Sequence, residues 1–247
     1  MIICALGYGY VAKYVLRELS LAGALGIGIT NKERSICNEN NQLRIFKRGK
    51  IKESISVSTH LLVSAPPNSQ NCPILKNFHK IISNSNIRNI LYMSTTGVYG
   101  NHDGRWVDEK SILKGTSPKD KRRIKAEIGW KDFCNKNKIG LNIIRIGGIY
   151  GPERLTKNYD NIIIKNRHFF SRIHVLDISR IIASILFDSK ESYCWNLVDD
   201  LPATRKSFME RIERLEEKNN ILADIKEVYS EVKSSGHVPK MIRKVLI

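Results

Sequence analysis

The sequence has no long apolar run, no paired cysteines and no low-complexity tract, and each absence closes a class of function. The first apolar stretch, residues 1–6, meets Gly7 and then Lys13, Arg17 and Glu18. It is too short and too charged for a secretory signal or a membrane span, and no later segment reaches spanning length. The five cysteines (Cys4, Cys37, Cys72, Cys134, Cys194) are odd in number and scattered, with no CxxC pair and no histidine at ligand spacing. That excludes a disulfide scaffold, predicts no metal site and places the chain in a reducing, cytoplasmic setting. Acidic residues are scarce: 24 Asp and Glu face 41 Lys and Arg, a formal charge of +17. The cations are spread over the whole chain among many Ile and Asn, so the excess speaks to solubility and weak association, and no nucleic-acid partner is expected from it. The densest basic run, residues 119–138, reads as a helix. Its Ile124, Ala126, Ile128, Trp130, Phe133 and Cys134 cover a broad apolar face and leave only a stripe for phosphates.

What is present is an ordinary globular balance, 42% hydrophobic and 26% charged over 247 residues, enough for one large domain or one domain with a small appendage. Short apolar runs alternate with helical patterns, the rhythm of βαβ units feeding a parallel sheet covered on both faces. Strands are predicted at residues 1–5, 24–30, 43–46, 60–64, 89–94, 141–146 and 193–198. Val11, Ala12, Val15, Leu16 and Leu19 recur at helical spacing after the first strand, and residues 73–82 form a second helix. Ala65-Pro66-Pro67 ends the fourth strand, because proline cannot continue a central ladder. Ser117-Pro118 supplies an N-cap and a first-turn proline for a helix that runs to about residue 137 and is ended by Gly140. Asp177 opens a further helix with Ile178, Ile181, Ile182, Ile185 and Leu186 inward, and Thr204 another to about residue 218. Residues after 219 carry no clear pattern.

The fingerprint Gly7-Tyr8-Gly9-Tyr10-Val11-Ala12 lies directly between the first strand and the first helix. In that context GxGxxA is a dinucleotide loop: Gly7 permits the tight turn, Gly9 lets backbone approach a pyrophosphate, and Ala12 lets the helix sit close on the sheet. At the end of the second strand, Thr30-Asn31-Lys32-Glu33-Arg34 has no acid at the tip where NAD enzymes hold the ribose hydroxyls. The missing acid and the cations Lys32 and Arg34 close by therefore favour a 2′-phosphate and NADP; the other reading leaves both cations solvated, with Asn31 hydrogen-bonding NAD.

Three later segments are Tyr92-Met93-Ser94-Thr95-Thr96-Gly97-Val98-Tyr99-Gly100, Arg145-Ile146-Gly147-Gly148-Ile149-Tyr150-Gly151-Pro152 and Arg172-Ile173-His174-Val175-Leu176-Asp177. In order and spacing they resemble the extended and atypical short-chain dehydrogenase/reductases, the superfamily of NAD-dependent epimerases and dehydratases, over residues 1–205. The resemblance implies a Rossmann-type doubly wound α/β fold. Residues 1–150 would be the NAD(P)-binding domain, with residues 151–247 partly completing the sheet and partly forming a reduced substrate-capping region. It implies an NAD(P)-dependent oxidoreductase or epimerase-like activity on a small or nucleotide-linked hydroxyl or carbonyl compound, and it allows a homodimer. Thr95 matches the catalytic Ser/Thr and Lys125 the catalytic lysine. Ser64, Ala65 and Pro66 fall beside the adenosine half of the cofactor, and Thr96, Tyr99, Tyr150, Arg172 and His174 fall where substrate is held. The tyrosine expected four residues before Lys125 is replaced by Lys121. Three accounts stand open: a proton supplied by Tyr99 or Tyr150, a Lys121 that acts itself, or a nucleotide-binding protein with altered or absent redox chemistry, such as a non-catalytic NADP-binding sensor, or a reaction that does not need that acid.

Overall fold

The computed structural model describes residues 1–31, 42–152, 154, 169–188, 192–199, 201–204, 207 and 245–246. In chain order they form β1 (Ile2–Leu6), α1 (Tyr10–Leu21), β2 (Leu25–Thr30), β3 (Leu43–Lys47), α2 (Ile51–Val57), β4 (His60–Val63), α3 (Pro73–Ser83), β5 (Asn89–Thr95), β6 (Trp106–Val107), α4 (Pro118–Asn137), β7 (Gly140–Ile146), β8 (Gly148–Tyr150), β9 (Phe169–Phe170), β10 (Arg172–His174), α5 (Val175–Asp188), β11 (Tyr193–Leu197), β12 (Ala203–Thr204) and β13 (Val245–Leu246).

Seven strands form one sheet in the order β11-β7-β5-β4-β1-β2-β3, with every pair parallel. This is the Rossmann-type doubly wound sheet expected from the sequence. The central strands are mostly apolar because both faces are covered, with β7 carrying buried Asn142 and Arg145, and successive residues serve opposite layers. In β1, Ile3 and Ala5 pack with α1 and α5, whereas Cys4 and Leu6 pack with α2, α3 and α4. β5 divides in the same way, with Leu91 and Met93 on the first face and Ile90 and Tyr92 on the second. The α1/α5 layer is closed by Val15, Leu16, Leu19, Ile178 and Ile182, and the other layer by Ile55, Ile82 and Trp130, all fully buried.

Three short ribbons flank this sheet. β8 pairs with β10 in parallel, β9 pairs with β12 antiparallel, and β13 pairs with β6 antiparallel, Val245 opposite Val107 and Leu246 opposite Trp106.

Local expectations and structure differ in places. α2 lies in a segment without a predicted helix. α4 starts as expected, with Ser117 Oγ accepting from Asp120 N at 3.1 Å and Pro118 in the first turn. It ends at Asn137, before Gly140 is reached: Lys138 takes the left-handed position, φ 55°, and Ile139 N donates back to Cys134 O at 3.0 Å. Ile128, expected to face inward, is exposed. The helix expected over 204–218 lies outside the described residues except for Thr204, which belongs to β12, and Ser207.

Candidate functional site

The strand order reverses between β1 and β4, neighbours in the sheet whose chains leave in opposite directions around the fold, and such a switch point opens a crevice at the carboxyl ends of the strands. A cleft of about 710 Å³ lies there. Its floor is the turn after β1. Gly7 has φ +108°, a region that disfavours side chains, and a Cβ there would stand 2.7 Å from Ala65 N. Tyr8 N donates to Ile29 O at 2.6 Å, Gly9 N to Gly7 O at 2.7 Å, and Ser64 Oγ donates to Gly7 O, so strands β1, β2 and β4 together fix the turn.

Gly9 is different. The nearest heavy atom to a Cβ there is Gly7 O at 3.9 Å, so its missing side chain leaves room on the cleft side rather than relieving a clash. Gly9 is also the N-cap of α1 and offers no side-chain cap, and the first turn contains no acid. The amides that open α1 are left for a ligand, and a helix start of this kind favours a negative charge. The residues here therefore fit the diphosphate of a dinucleotide.

The cleft wall is cationic. Arg48, Lys119, Arg123 and Arg154 line it, and among the described residues its lining holds no Asp or Glu. Arg48 opens the turn after β3, on the same side as Asn31. Arg154 stacks its guanidinium 4.7 Å from the ring centroid of Tyr10, whose hydroxyl donates to Pro152 O at 2.7 Å. Lys119 and Arg123 are four residues apart on α4 and so share one face of the helix. Nη1 of Arg123 donates to Met93 O at 2.6 Å and to Tyr92 Oη at 3.4 Å, which ties the guanidinium to the end of β5. Thr95 closes β5 beside it, and its Oγ1 accepts from Gly97 N at 3.2 Å.

Behind this wall a buried polar network joins four elements. Arg145 of β7 contacts Glu127 of α4 through Nη2 at 2.8 Å and Nε at 3.3 Å, and its Nη1 donates to Tyr99 Oη at 2.9 Å. Ser94 Oγ donates to Glu127 Oε1, and Tyr99 Oη donates to Asn196 Oδ1 at 2.7 Å. The carbonyl of Glu109 accepts from Arg145 and its carboxylate accepts from Asn196 N, which attaches the β6–α4 loop to the same cluster. Burial opposes the Arg145 charge, but the hydrogen bonds and charge of Glu127 outweigh it and raise its pKa. Burial pushes the Tyr99 phenol up to about 12, with Arg145 partly opposing, so it holds its proton.

Of the residues expected from sequence to hold the cofactor, Gly7, Tyr8, Gly9, Tyr10, Val11, Ala12, Asn31, Ser64, Ala65 and Pro66 all line the cleft, and Thr95 joins them. Lys32 lies outside the described residues. Lys121 and Lys125 are exposed and do not line the cleft; Lys119 and Arg123, two residues earlier on the same helix, do. Thr96 begins a 3-10 turn off the cleft lining, and Tyr99 is committed to the buried network. Tyr150, Arg172 and His174 stand on the β8/β10 ribbon, also off the lining. His174 is buried against Tyr150, ring centroids 5.2 Å apart, and accepts from Leu176 N at 3.3 Å. Burial, with Arg180 nearby, lowers its pKa to about 4. The four lining cations were not singled out from the sequence. The phase of α4 carries two of them: Ala126, Glu127, Trp130 and Cys134 are its buried positions, and stepping back one and two turns from Glu127 reaches Arg123 and Lys119.

Comparison with known proteins separates the chain into two parts. The family described as GapR-like, DNA-binding domain, matches residues 203–247. A UPF0335 protein of Azospirillum brasilense is 55% identical over 51 residues, 20% of this chain and 62% of that protein. Across the curated relatives of this kind the chain spans 47–62% of their length. Over most of the chain the likeness is to another group. The structure of a Bacillus cereus UDP-glucuronic acid 4-epimerase mutant with NAD and a fluorinated UDP-sugar superposes with TM-score 0.74 at 12% identity, over 87% of this chain and 83% of that one. A conserved protein of unknown function from Silicibacter pomeroyi superposes with TM-score 0.78 at 31% identity, over 87% of this chain and 78% of that one. The chain therefore belongs to the family of the Silicibacter pomeroyi protein, on the fold shared with the UDP-sugar 4-epimerases.

Proposed function

We propose that the chain binds a nicotinamide dinucleotide in the cleft between β1 and β4 and acts as an NAD(P)-dependent oxidoreductase or epimerase-like protein on a small or nucleotide-linked hydroxyl or carbonyl compound. The observation that carries this reading is Gly9: it caps α1 without a side chain, opens onto the cleft and leaves the first amides of the helix to an anion. The cofactor would supply the hydride chemistry. Gly7, Gly9 and the start of α1 would hold its diphosphate, Asn31 and Arg48 its adenosine half, and Thr95 would stand at the reacting end. The absence of acid among the described lining residues and the presence of Arg48 favour NADP; the NAD bound to the Bacillus cereus epimerase supports the nicotinamide class as a whole.

Calorimetric titration with NADPH, NADP, NADH and NAD tests this directly. Saturable binding, tighter for the phosphorylated pair, is expected. No heat with any of the four would end the proposal.

Turnover is the finer question. No tyrosine stands one turn before a lysine on the cleft face of α4, where Lys119 and Arg123 are. A non-catalytic NADP sensor fits that pair equally well, and a panel of alcohols, aldehydes and UDP-sugars separates the two readings by the presence or absence of NADPH turnover.

A second reading concerns residues 203–247 and rests on their GapR-like match. This segment, rather than the basic helix α4, would give the protein an affinity for duplex DNA. Mobility-shift assays with the full chain and a chain ending at residue 202 test it. A shift that the shortened chain reproduces would sink this reading.

A further inference from the structure

The cleft carries more positive charge than a diphosphate at the glycine turn accounts for. Arg48 stands on the Asn31 side, whereas Lys119 and Arg123 stand at the opposite end, beside Thr95. Among the described residues no carboxylate forms an ion pair with Arg48, Lys119 or Arg123. Glu127, one turn further along α4, is buried and held by Arg145 and Ser94. Asp120 accepts from Ser117 Oγ and its carboxylate faces Gly97.

The posture of Arg123 is specific. Its Nη1 serves Met93 O and Tyr92 Oη, and its Cζ lies 5.9 Å from the Tyr92 ring centroid, so the plane of the guanidinium is held from one side. Nε and Nη2 have no acceptor among the described residues. Those two N–H groups form one edge of the guanidinium fork, the edge that meets two oxygens of a carboxylate or phosphate at once. The hydroxyl of Thr95 accepts from Gly97 N and has no acceptor for its own proton among the described residues, which adds a third donor at the end of β5. Lys119 supplies a mobile point charge over the mouth.

We infer that the Thr95 end of the cleft is an oxyanion subsite, with Arg123 as the bidentate anchor, Thr95 as a further donor and Lys119 as a steering charge, and that it takes a carboxylate or phosphate of a second ligand. This rests on the dinucleotide reading in one respect: with the diphosphate on the glycine turn the nicotinamide half reaches towards Thr95, and the anionic group of the second ligand is held beside it. The fork offers two parallel N–H donors to one anion, so this end recognises an anion by geometry as well as by charge.

The test uses sodium oxalate and inorganic phosphate as separate probes, titrated calorimetrically into the full chain with and without saturating NADPH. Saturable binding of at least one probe in the presence of NADPH is expected. Arg123→Lys, which keeps the charge and loses the fork, is expected to weaken it about tenfold. Lys119→Met, at an exposed position that leaves folding intact, is expected to weaken it about threefold. A preference for oxalate assigns the group as a carboxylate, and a preference for phosphate assigns it as a phosphoryl group. No saturable binding of either probe overturns the inference, as does unchanged binding in both variants. Competition between probe and NADPH also overturns it while leaving the cofactor reading in place. Probe binding through Arg123 in a chain that ignores all nicotinamide dinucleotides would do the reverse.

Discussion

Arg145 and Glu127 meet in the interior through two nitrogens and two oxygens, Nη2 to Oε2 at 2.8 Å and Nε to Oε1 at 3.3 Å, with side chains 3% and 1% exposed. Removing one charge from such a pair strands the other without water. Glu127→Ala is therefore expected to destabilise the protein by about 3–5 kcal/mol, read as a fall in the urea midpoint at constant slope. Thr95 and the start of the following turn are expected to lose their fixed position with it, since Ser94 also depends on Glu127. A midpoint equal to that of the parent protein would show that the pair contributes little beyond a hydrophobic replacement.

The two loop glycines are expected to fail in different ways. Gly7→Ala places a Cβ 2.7 Å from Ala65 N on a backbone at φ +108°, and it should lower stability by roughly 2 kcal/mol or more. A Cβ at Gly9 would meet no described atom closer than 3.9 Å, so with Gly9→Val the melting temperature should hold while NADPH-dependent stabilisation disappears. Thermal melts with and without NADPH separate the two. A Gly9→Val protein still stabilised by NADPH would move the diphosphate elsewhere.

Arg48 provides a test of cofactor choice. It lines the cleft on the Asn31 side, away from the diphosphate turn. Arg48→Met is expected to weaken NADPH binding about tenfold and NADH binding by less than about twofold, because a charged hydrogen bond to phosphate is lost only in the first case. Equal loss for both cofactors would place Arg48 at the diphosphate instead.

His174 makes stability depend on acidity. Its folded pKa, lowered to about 4 chiefly by burial, lies below the unfolded value near 6.5. The unfolded chain therefore takes up the proton first, so this contribution is complete above about pH 6.5 and is lost as pH falls toward 4. The loss should approach the order of 3 kcal/mol. His174→Asn keeps an acceptor for Leu176 N and should flatten the decline in melting temperature between pH 7 and 4. A variant that tracks the parent curve would assign the acid sensitivity to other groups, with His60 the next to examine because burial lowers its pKa too.

The sheet was legible because its signal is redundant. β1, β4, β5 and β7 are short, largely apolar runs with Gly or Pro within three residues of their ends, and a strand buried on both faces tends to look that way. The glycine turn was legible for a similar reason: position, flanks and spacing agree at Gly7, Gly9 and Ala12. α4 was not. Its inner face carries Glu127 and Arg123 among the apolar residues, so hydrophobic periodicity fixes its phase weakly, and Ile128 is outward despite its character. Placing Lys121 and Lys125 by motif spacing alone set the helix two residues from the phase that Trp130 and Cys134 dictate. The buried Arg145 network was equally hidden, because nothing local to β7 marks its arginine as a charge with a partner 18 residues away.

A sheet in which all neighbours run the same way also governs how the protein is made. Ile3 of β1 must find His60 of β4, and the hydrogen bonds between Ile2 and Thr59 span 57 residues of chain. At about 5–20 residues per second on the ribosome, the nascent β1 edge stays open for several seconds before its second neighbour exists. During that interval a five-residue apolar strand has only part of the sheet that will bury it, the cost in folding order that a parallel sheet with long sequence separations carries.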